Sequence, residues 1–190
     1  MGRPILTETG LLRVPGRKKW LVQEEVDRML ALAKPNLRDY YMMRLLRYSL
    51  RIGEVVGNGK LHGIRGADLR PDGIWIKGKG GGEHFVHMKQ PFMAELSSLF
   101  TPRGNDRIFP ISERRAEQVV KDYARKASVV DWEYVSPHRF RAYYATDLRD
   151  RGVDPFTIRD GMRHKNIQTT NLYVGPTSQK RMAEIAESLD

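Results

Sequence analysis

A cluster of glycines separates two β-prone runs in a chain whose other apolar residues mostly recur at helical spacing. The runs Gly73–Lys77 and His84–Met88 flank Gly78-Lys-Gly-Gly-Gly-Glu83, and two apolar runs around a glycine cluster predict a β-hairpin. Elsewhere, apolar residues three and four apart indicate amphipathic helices. The chain is therefore predicted to have an α+β fold, mainly α-helical, with one small antiparallel sheet.

Helices are predicted on both sides of this hairpin. Two precede it, over residues 21–34 and 37–50, and six follow it, at about 91–100, 112–128, 137–151, 155–163, 166–173 and 177–189. Ser136-Pro137 and Asp154-Pro155 each place a capping residue before a proline at the first helical position. Gly152 suits a helix end, and the glycine-containing stretch 57–72 is predicted to be a loop.

The 190 residues suit one ordinary domain. No linker within residues 20–190 predicts a second domain. Residues 1–19, rich in glycine, proline and basic side chains, are expected to form a basic N-terminal arm. Residues 177–190 carry an apolar stripe at helical spacing, which fits two arrangements: packing on the domain's own core, or docking on a neighbouring protomer.

Positive charge is in excess, with 33 Lys and Arg against 23 Asp and Glu and a net charge of +10. A basic surface gains from displacing counterions on a phosphate backbone, so nucleic acid is the first partner to consider; a basic protein without that role is the alternative. The absence of cysteine excludes disulfides and thiolate nucleophiles. Without a signal-peptide core or a run of ~20 apolar residues, we expect a cytoplasmic or nucleoid-associated protein with no membrane partner.

Two segments in the second half of the chain hold candidate functional side chains. His138 and Arg141 are three residues apart, so they share one face of a predicted helix. A helix start suits an anion, because backbone N–H groups point towards it. His164 and Tyr173 follow. Each feature alone has an ordinary explanation: a solvated His–Arg pair, and a tyrosine at the edge of the core.

Taken together and in order, these motifs resemble those of the tyrosine recombinases, which are the phage integrase family. Leu50–Val55 resembles the box that carries the family's first arginine, and Gly78–Gly80 resembles the hairpin that carries its catalytic lysine. The C-terminal signature of two histidines, an arginine and a tyrosine follows. The resemblance covers about residues 20–175 and implies a catalytic domain over residues 20–176. The catalytic residues that it implies are Arg51, Lys79, His138, Arg141, His164 and Tyr173.

The sequence departs from the family pattern at three places. The family usually has glycine immediately before its last histidine, where this chain has Arg163. Residues 57–66 look like a small insertion after Glu54. The hairpin has fewer basic residues than is common, so Lys77 is kept as the alternative to Lys79.

The resemblance implies a site-specific recombinase or integrase that acts on double-stranded DNA. Tyr173 would form a 3′-phosphotyrosine, which stores the energy of the broken bond, so that ATP is not needed. The two arginines would bind the non-bridging oxygens in a bidentate way. His138 would accept the tyrosine proton, His164 would donate a hydrogen bond, and Lys79 would protonate the leaving 5′-oxygen. No cofactor and no metal are expected, because these cations supply the charge that Mg²⁺ supplies elsewhere.

Further basic residues are candidates for DNA contacts, with solvated surface charges as the alternative for some of them. They are Arg17, Lys18, Lys19, Arg65, Lys77, Lys121, Arg139 and Lys165. On DNA we expect a homo-oligomer, as a tetramer. Two other functions stay open: DNA relaxation like that of a type IB topoisomerase, and a catalytically silent DNA-binding module. Because family members typically carry a further helical domain ahead of the catalytic one, the chain fits either an excised piece or a minimal enzyme.

Overall fold

The computed structural model of the chain describes residues 5–6, 12–13, 20–78, 82–100 and 104–163. The described helices are α1 Gln23–Ala33, α2 Leu37–Leu46, α3 Ile52–Val56, α4 Gln90–Phe100, α5 Glu113–Lys126, α6 Pro137–Asp150 and α7 Pro155–Gly161. The described strands are β1 Ile5–Leu6, β2 Leu12–Arg13, β3 Leu69–Arg70, β4 Gly73–Lys77 and β5 Glu83–His87. The helices predicted at 166–173 and 177–189 lie outside the described residues.

One main hydrophobic core joins the helices. α1 buries apolar side chains three and four residues apart, which is the pattern of a helix with one face in the core. This face packs against α2 and α5. Phe140 extends the core into α6 and is fully buried. A second, smaller cluster of Ala145, Ile158 and Met162 joins α6 to α7.

The sheet is antiparallel, with strand order β3-β4-β5. Trp75 pairs with Phe85 and Lys77 with Glu83, so the predicted hairpin is confirmed. Alternate residues of β4 point to opposite faces: Ile76 is buried, whereas Trp75 and Lys77 are exposed. β3 lies inside the stretch that was predicted to be a loop. A two-residue strand is too short to show an alternating pattern, so the sequence did not indicate it.

Helix ends follow local backbone geometry. The helix predicted over 37–50 ends at Leu46, and Ser49 then adopts a left-handed conformation with φ 64°, which a helix cannot contain. Asp154 caps α7 as predicted, accepting hydrogen bonds from Phe156 N at 2.9 Å and Thr157 N at 3.0 Å. Ser136 stands at the N-cap position of α6 and Pro137 is its first residue, as predicted, although the Ser136 side chain makes no capping hydrogen bond.

The arm residues that the structure describes form a short antiparallel pair. β1 pairs with β2 through Ile5 with Arg13 and Leu6 with Leu12. Within the described ranges, no helix is long and apolar enough to cross a bilayer.

Candidate functional site

A cleft of about 550 Å³ brings together the candidate residues that the structure describes. Arg51, Lys77, His138 and Arg141 all line it. They come from the turn before α3, the end of β4 and the first two turns of α6. The cleft therefore unites three of the predicted catalytic residues with the alternative lysine. The other three, Lys79, His164 and Tyr173, lie outside the described residues.

The turn at Ser49 lies directly before Leu50 and Arg51, which line the cleft. Ser49 is fully buried and has a positive φ. Its carbonyl oxygen accepts a hydrogen bond from Arg141 Nη1, and another from Arg163 Nη2 at 3.1 Å. Its hydroxyl lies 3.0 Å from Arg141 Nη1. A single backbone turn thus contacts guanidinium groups from two distant parts of the chain.

Arg141 is held in place from two sides. It is only 3% exposed, and its Nη2 donates to the carbonyl oxygen of Met162, at the end of α7. A buried cation costs free energy unless it is hydrogen-bonded, and these carbonyl oxygens offset that cost. The guanidinium is therefore fixed beside the cleft in advance, which is the condition under which a charged donor contributes most to transition-state stabilisation.

Glu54 fixes Arg51 through two hydrogen bonds. Its Oε1 accepts from Arg51 Nη1 at 2.8 Å and its Oε2 from the Arg51 backbone N at 2.7 Å. The Glu54 side chain has no exposed surface, whereas that of Arg51 is 40% exposed. The Arg51 guanidinium is thus oriented by a buried carboxylate and still open to a ligand.

Arg163, which replaces the usual glycine, adopts a left-handed conformation with φ 54°. Glycine enters that region without a steric penalty, which gives a physical reason for the family's usual residue. The Arg163 side chain is 12% exposed, and its Nη2 lies 2.8 Å from Glu54 Oε2. Burial lowers the pKa of Arg163, while the Glu54 carboxylate acts in the opposite direction. Sequence reasoning placed this charge beside the site but gave it no partner.

His138 is exposed at the start of α6 and lines the cleft. Its pKa lies below the ordinary value, first because the surrounding protein desolvates the ring, and then because Arg141 and Arg51 carry like charges. The neutral ring is therefore favoured near pH 7, and a neutral imidazole is the form that can accept a proton.

We expect the His138 ring to titrate below its ordinary value of about 6.5. The folded state disfavours the charged ring. As the pH falls, the ring is therefore protonated at a higher pH in the unfolded chain than in the folded protein. The stability contributed by neutral His138 is thus complete above about pH 6.5 and is lost as the pH falls towards the folded-state pKa. NMR titration of the ring measures the midpoint. Arg51→Gln should raise that midpoint and Arg44→Gln should not; a midpoint at or above 6.5 in the wild type contradicts the prediction.

The predicted insertion, residues 57–66, forms one wall of the cleft through Asn58, Lys60 and Leu61. The backbones of Gly57 and Gly63 pack together at its neck, where a Cβ on Gly57 would lie 2.9 Å from Gly63 N. Asn58 Oδ1 closes the loop by accepting hydrogen bonds from the backbone N of Lys60 and of Leu61. The sequence indicated the insertion but not its place beside the site.

Two acidic side chains on α5, Glu113 and Glu117, also line the cleft. Asn58 Nδ2 donates to Glu113 Oε1 at 3.1 Å, which ties the inserted loop to this helix. Sequence reasoning did not predict these residues, because helical periodicity marks them simply as part of a polar face.

The other predicted DNA contacts differ in exposure. Lys121 is exposed and Arg65 is half-buried. Arg139 is 8% exposed and, unlike Arg141, does not line the cleft. The remaining candidates lie outside the described residues: Arg17, Lys18, Lys19 and Lys165.

Metal-binding side chains do not cluster in the part of the chain that the structure describes: no group of three or more His, Asp or Glu residues is placed to hold an ion. Of the two histidines on β5, His87 lies 3.9 Å from Asp72 in an exposed pair.

The fold is a mainly helical domain with a small sheet, and its cleft brings together Arg51, His138 and Arg141. The chain belongs to the phage integrase family, whose model matches residues 19–180. It is 27% identical over 183 residues to the tyrosine recombinase XerA of Pyrococcus furiosus, a match that covers 89% of this chain and 61% of that protein. It is 30% identical over 163 residues to the tyrosine recombinase XerC of Staphylococcus saprophyticus, covering 78% and 52%. The chain thus spans little more than half of these relatives.

Solved structures share the fold. The crystal structure of a XerA recombinase aligns with a TM-score of 0.69 at 22% identity, covering 93% of this chain and 69% of that one. A XerH site-specific recombinase bound to its difH substrate gives a TM-score of 0.65 at 18% identity, covering 97% and 59%. The catalytic domain of bacteriophage HP1 integrase gives 0.57 at 17% identity, covering 87% and 93%. The predicted α+β, tyrosine-recombinase-like fold is therefore confirmed.

Proposed function

We propose that this chain catalyses site-specific recombination by cutting and rejoining double-stranded DNA through a 3′-phosphotyrosine at Tyr173. The observation that carries the proposal is the cleft in which Arg51, His138 and Arg141 meet. Both arginines are oriented by hydrogen bonds, Arg51 by the buried carboxylate of Glu54 and Arg141 by the buried Ser49. Two fixed guanidinium groups facing one cleft suit a phosphodiester with two non-bridging oxygens.

In the proposed reaction the Tyr173 oxygen attacks the phosphorus and the bond from phosphorus to the 5′-oxygen breaks. The phenol proton passes to the neutral His138 ring, and the leaving 5′-oxygen takes a proton from a lysine. Lys79 is the lysine that the resemblance implies, and Lys77, which lines the cleft, is the alternative. The freed 5′-hydroxyl, or one from a second duplex, then attacks the phosphotyrosine and restores the backbone, so neither ATP nor a change of oxidation state is needed.

The proposed partners are double-stranded DNA and further copies of the chain. A net charge of +10 supports binding to a phosphate backbone. Exchange between two duplexes makes four strand cuts, which supports a tetramer on DNA, with the segment 177–190 as the candidate contact between protomers. The XerH relative was solved on its difH substrate, and an equivalent DNA complex is proposed for this chain.

Covalent trapping tests the proposal. The protein is incubated, with EDTA present, with nicked DNA substrates made from the sequences that flank its gene. We expect a protein–DNA adduct that survives denaturation, with the DNA mapped by mass spectrometry to Tyr173. Tyr173→Phe should form none. Tyr134→Phe, a change at a tyrosine that is 52% exposed, should leave the adduct unchanged.

Other outcomes separate the alternatives. An adduct together with relaxation of supercoiled plasmid by monomers, and no strand exchange, would indicate a type IB topoisomerase-like activity. Intact DNA binding with no adduct on any substrate would indicate a silent binding module. An adduct that persists in Tyr173→Phe would show that another residue is the nucleophile.

A further inference from the structure

We infer that Arg163 is a positioning residue that orients Arg51 for phosphate binding by way of the Glu54 carboxylate. The inference rests on the proposed function and adds to it a residue that stands where the family usually has glycine. Arg163 is assigned no contact with DNA and no part in proton transfer. Its role is to hold another side chain in the orientation that the reaction needs.

The Glu54 carboxylate accepts hydrogen bonds at both of its oxygens. Glu54 Oε1 faces Arg51 Nη1 at 2.8 Å, while Oε2 is shared by Arg51 N at 2.7 Å and Arg163 Nη2 at 2.8 Å. The Glu54 side chain has no exposed surface. Because a buried carboxylate keeps the orientation that its hydrogen bonds give it, Arg163 holds Oε2 together with Arg51 N and so helps to set the direction that Oε1 faces.

Arg163 also contacts the turn at Ser49. Arg163 Nη2 also donates to Ser49 O at 3.1 Å, and the same carbonyl oxygen accepts from Arg141. Arg163 therefore contacts the turn that leads into Arg51 and shares an acceptor with the second phosphate-binding arginine. Displacing its guanidinium would disturb both arginines together.

The backbone of Arg163 carries a conformational cost. Arg163 holds a φ of 54°, a region that residues with a Cβ seldom occupy. Its Nε is buried and has no hydrogen-bond partner in the structure. A residue kept for packing alone would gain from becoming glycine, which tolerates this backbone. The Arg163 side chain instead donates hydrogen bonds to Glu54 and Ser49, both of which support the site.

The experiment compares Arg163→Met, Arg163→Gly and Arg163→Lys. For Met and Gly we expect the single-turnover cleavage rate at saturating DNA to fall about 10- to 100-fold, since a displacement of about 1 Å suffices for such a loss. DNA affinity should stay within about threefold, because the phosphate contacts elsewhere persist. Lys, which keeps a charge that can reach Glu54, should recover part of the rate. In Arg159→Met, a change at an arginine that pairs with Asp160 on α7, the rate should not change.

The glycine variant separates positioning from strain. Gly relieves the left-handed backbone but removes the side chain, so positioning predicts a slow enzyme that is still folded at the assay temperature. A glycine variant that cleaves as fast as the wild type would overturn the inference.

A readout without DNA cleavage keeps this test distinct from that of the proposed function. The Nε–H signal of Arg51 is followed by NMR and assigned with Arg51→Lys. We expect it to shift and to exchange faster with solvent in Arg163→Met but not in Arg159→Met. An unchanged Arg51 signal in Arg163→Met overturns the inference even if the protein cleaves DNA. If the wild type forms no adduct while the signal behaves as expected, the proposed function fails and the link between Arg163 and Arg51 stands.

Discussion

Arg141→Met is expected to lower the rate of DNA cleavage by about 10²- to 10³-fold, the loss typical of removing one preorganised donor from a transition-state site. Methionine keeps much of the apolar length of the side chain and removes the charge. Arg141 is 3% exposed and fixed by carbonyl oxygens before any ligand binds. The rate loss should therefore appear at saturating DNA, in single-turnover assays on a nicked substrate.

Two variants make this result specific. Arg141→Lys keeps a positive charge but loses the planar fork, so we expect it to recover little of the rate. Arg151→Met changes an arginine on the exposed side of the same region, paired with Asp147 at 3.1 Å, and should leave cleavage within about twofold, as for a surface substitution. Cleavage by Arg141→Met at close to the wild-type rate would contradict the assignment of Arg141 to the phosphate.

Glu54→Ala should lower the free energy of unfolding by about 3–5 kcal/mol, the cost of breaking a buried ion pair by removing one partner. The substitution leaves the guanidinium of Arg163, whose side chain is 12% exposed, without its carboxylate. Arg51 loses the same partner but is 40% exposed and can be solvated. Most of the loss should therefore come from Arg163, and urea denaturation measures it.

The double variant shows where the cost arises. Combining Glu54→Ala with Arg163→Met removes the stranded charge. The double variant should therefore lose less free energy of unfolding than the sum of the losses in the two single variants. Glu117→Ala, a change at an exposed carboxylate on the cleft wall, is the matched control and should stay within about 0.5 kcal/mol. A loss below about 1 kcal/mol for Glu54→Ala would show that this carboxylate is not the group that stabilises Arg163.

Local pattern was sufficient for most of the described architecture, but it missed the short elements α3 and β3. Apolar spacing located α1, α5 and α6 to within a few residues, since such helices must present one face to the core. The glycine cluster located the hairpin. The resemblance to the tyrosine recombinases supplied Arg51, His138 and Arg141, which the structure then brings to one cleft.

The support of the site was not predictable in the same way. Glu54 and Arg163 are 109 residues apart, and no periodicity links them. Ser49 was predicted to lie at the end of a helix. Its left-handed turn instead directs its carbonyl oxygen towards Arg141 and Arg163. Such contacts depend on tertiary packing, which overrides local preference. The roles of Lys79, His164 and Tyr173 stay predictions that the trapping and substitution experiments address.

The Ser49 carbonyl also constrains when the protein can become active during folding. Its two guanidinium donors lie 92 and 114 residues further along the chain. Closing loops of that length costs entropy that must be met before the contacts form, so contacts of such separation tend to complete late. Helices and the hairpin can therefore assemble while Arg51 and Arg141 are still apart. Under the proposed function, this order would tie DNA cleavage to the finished fold.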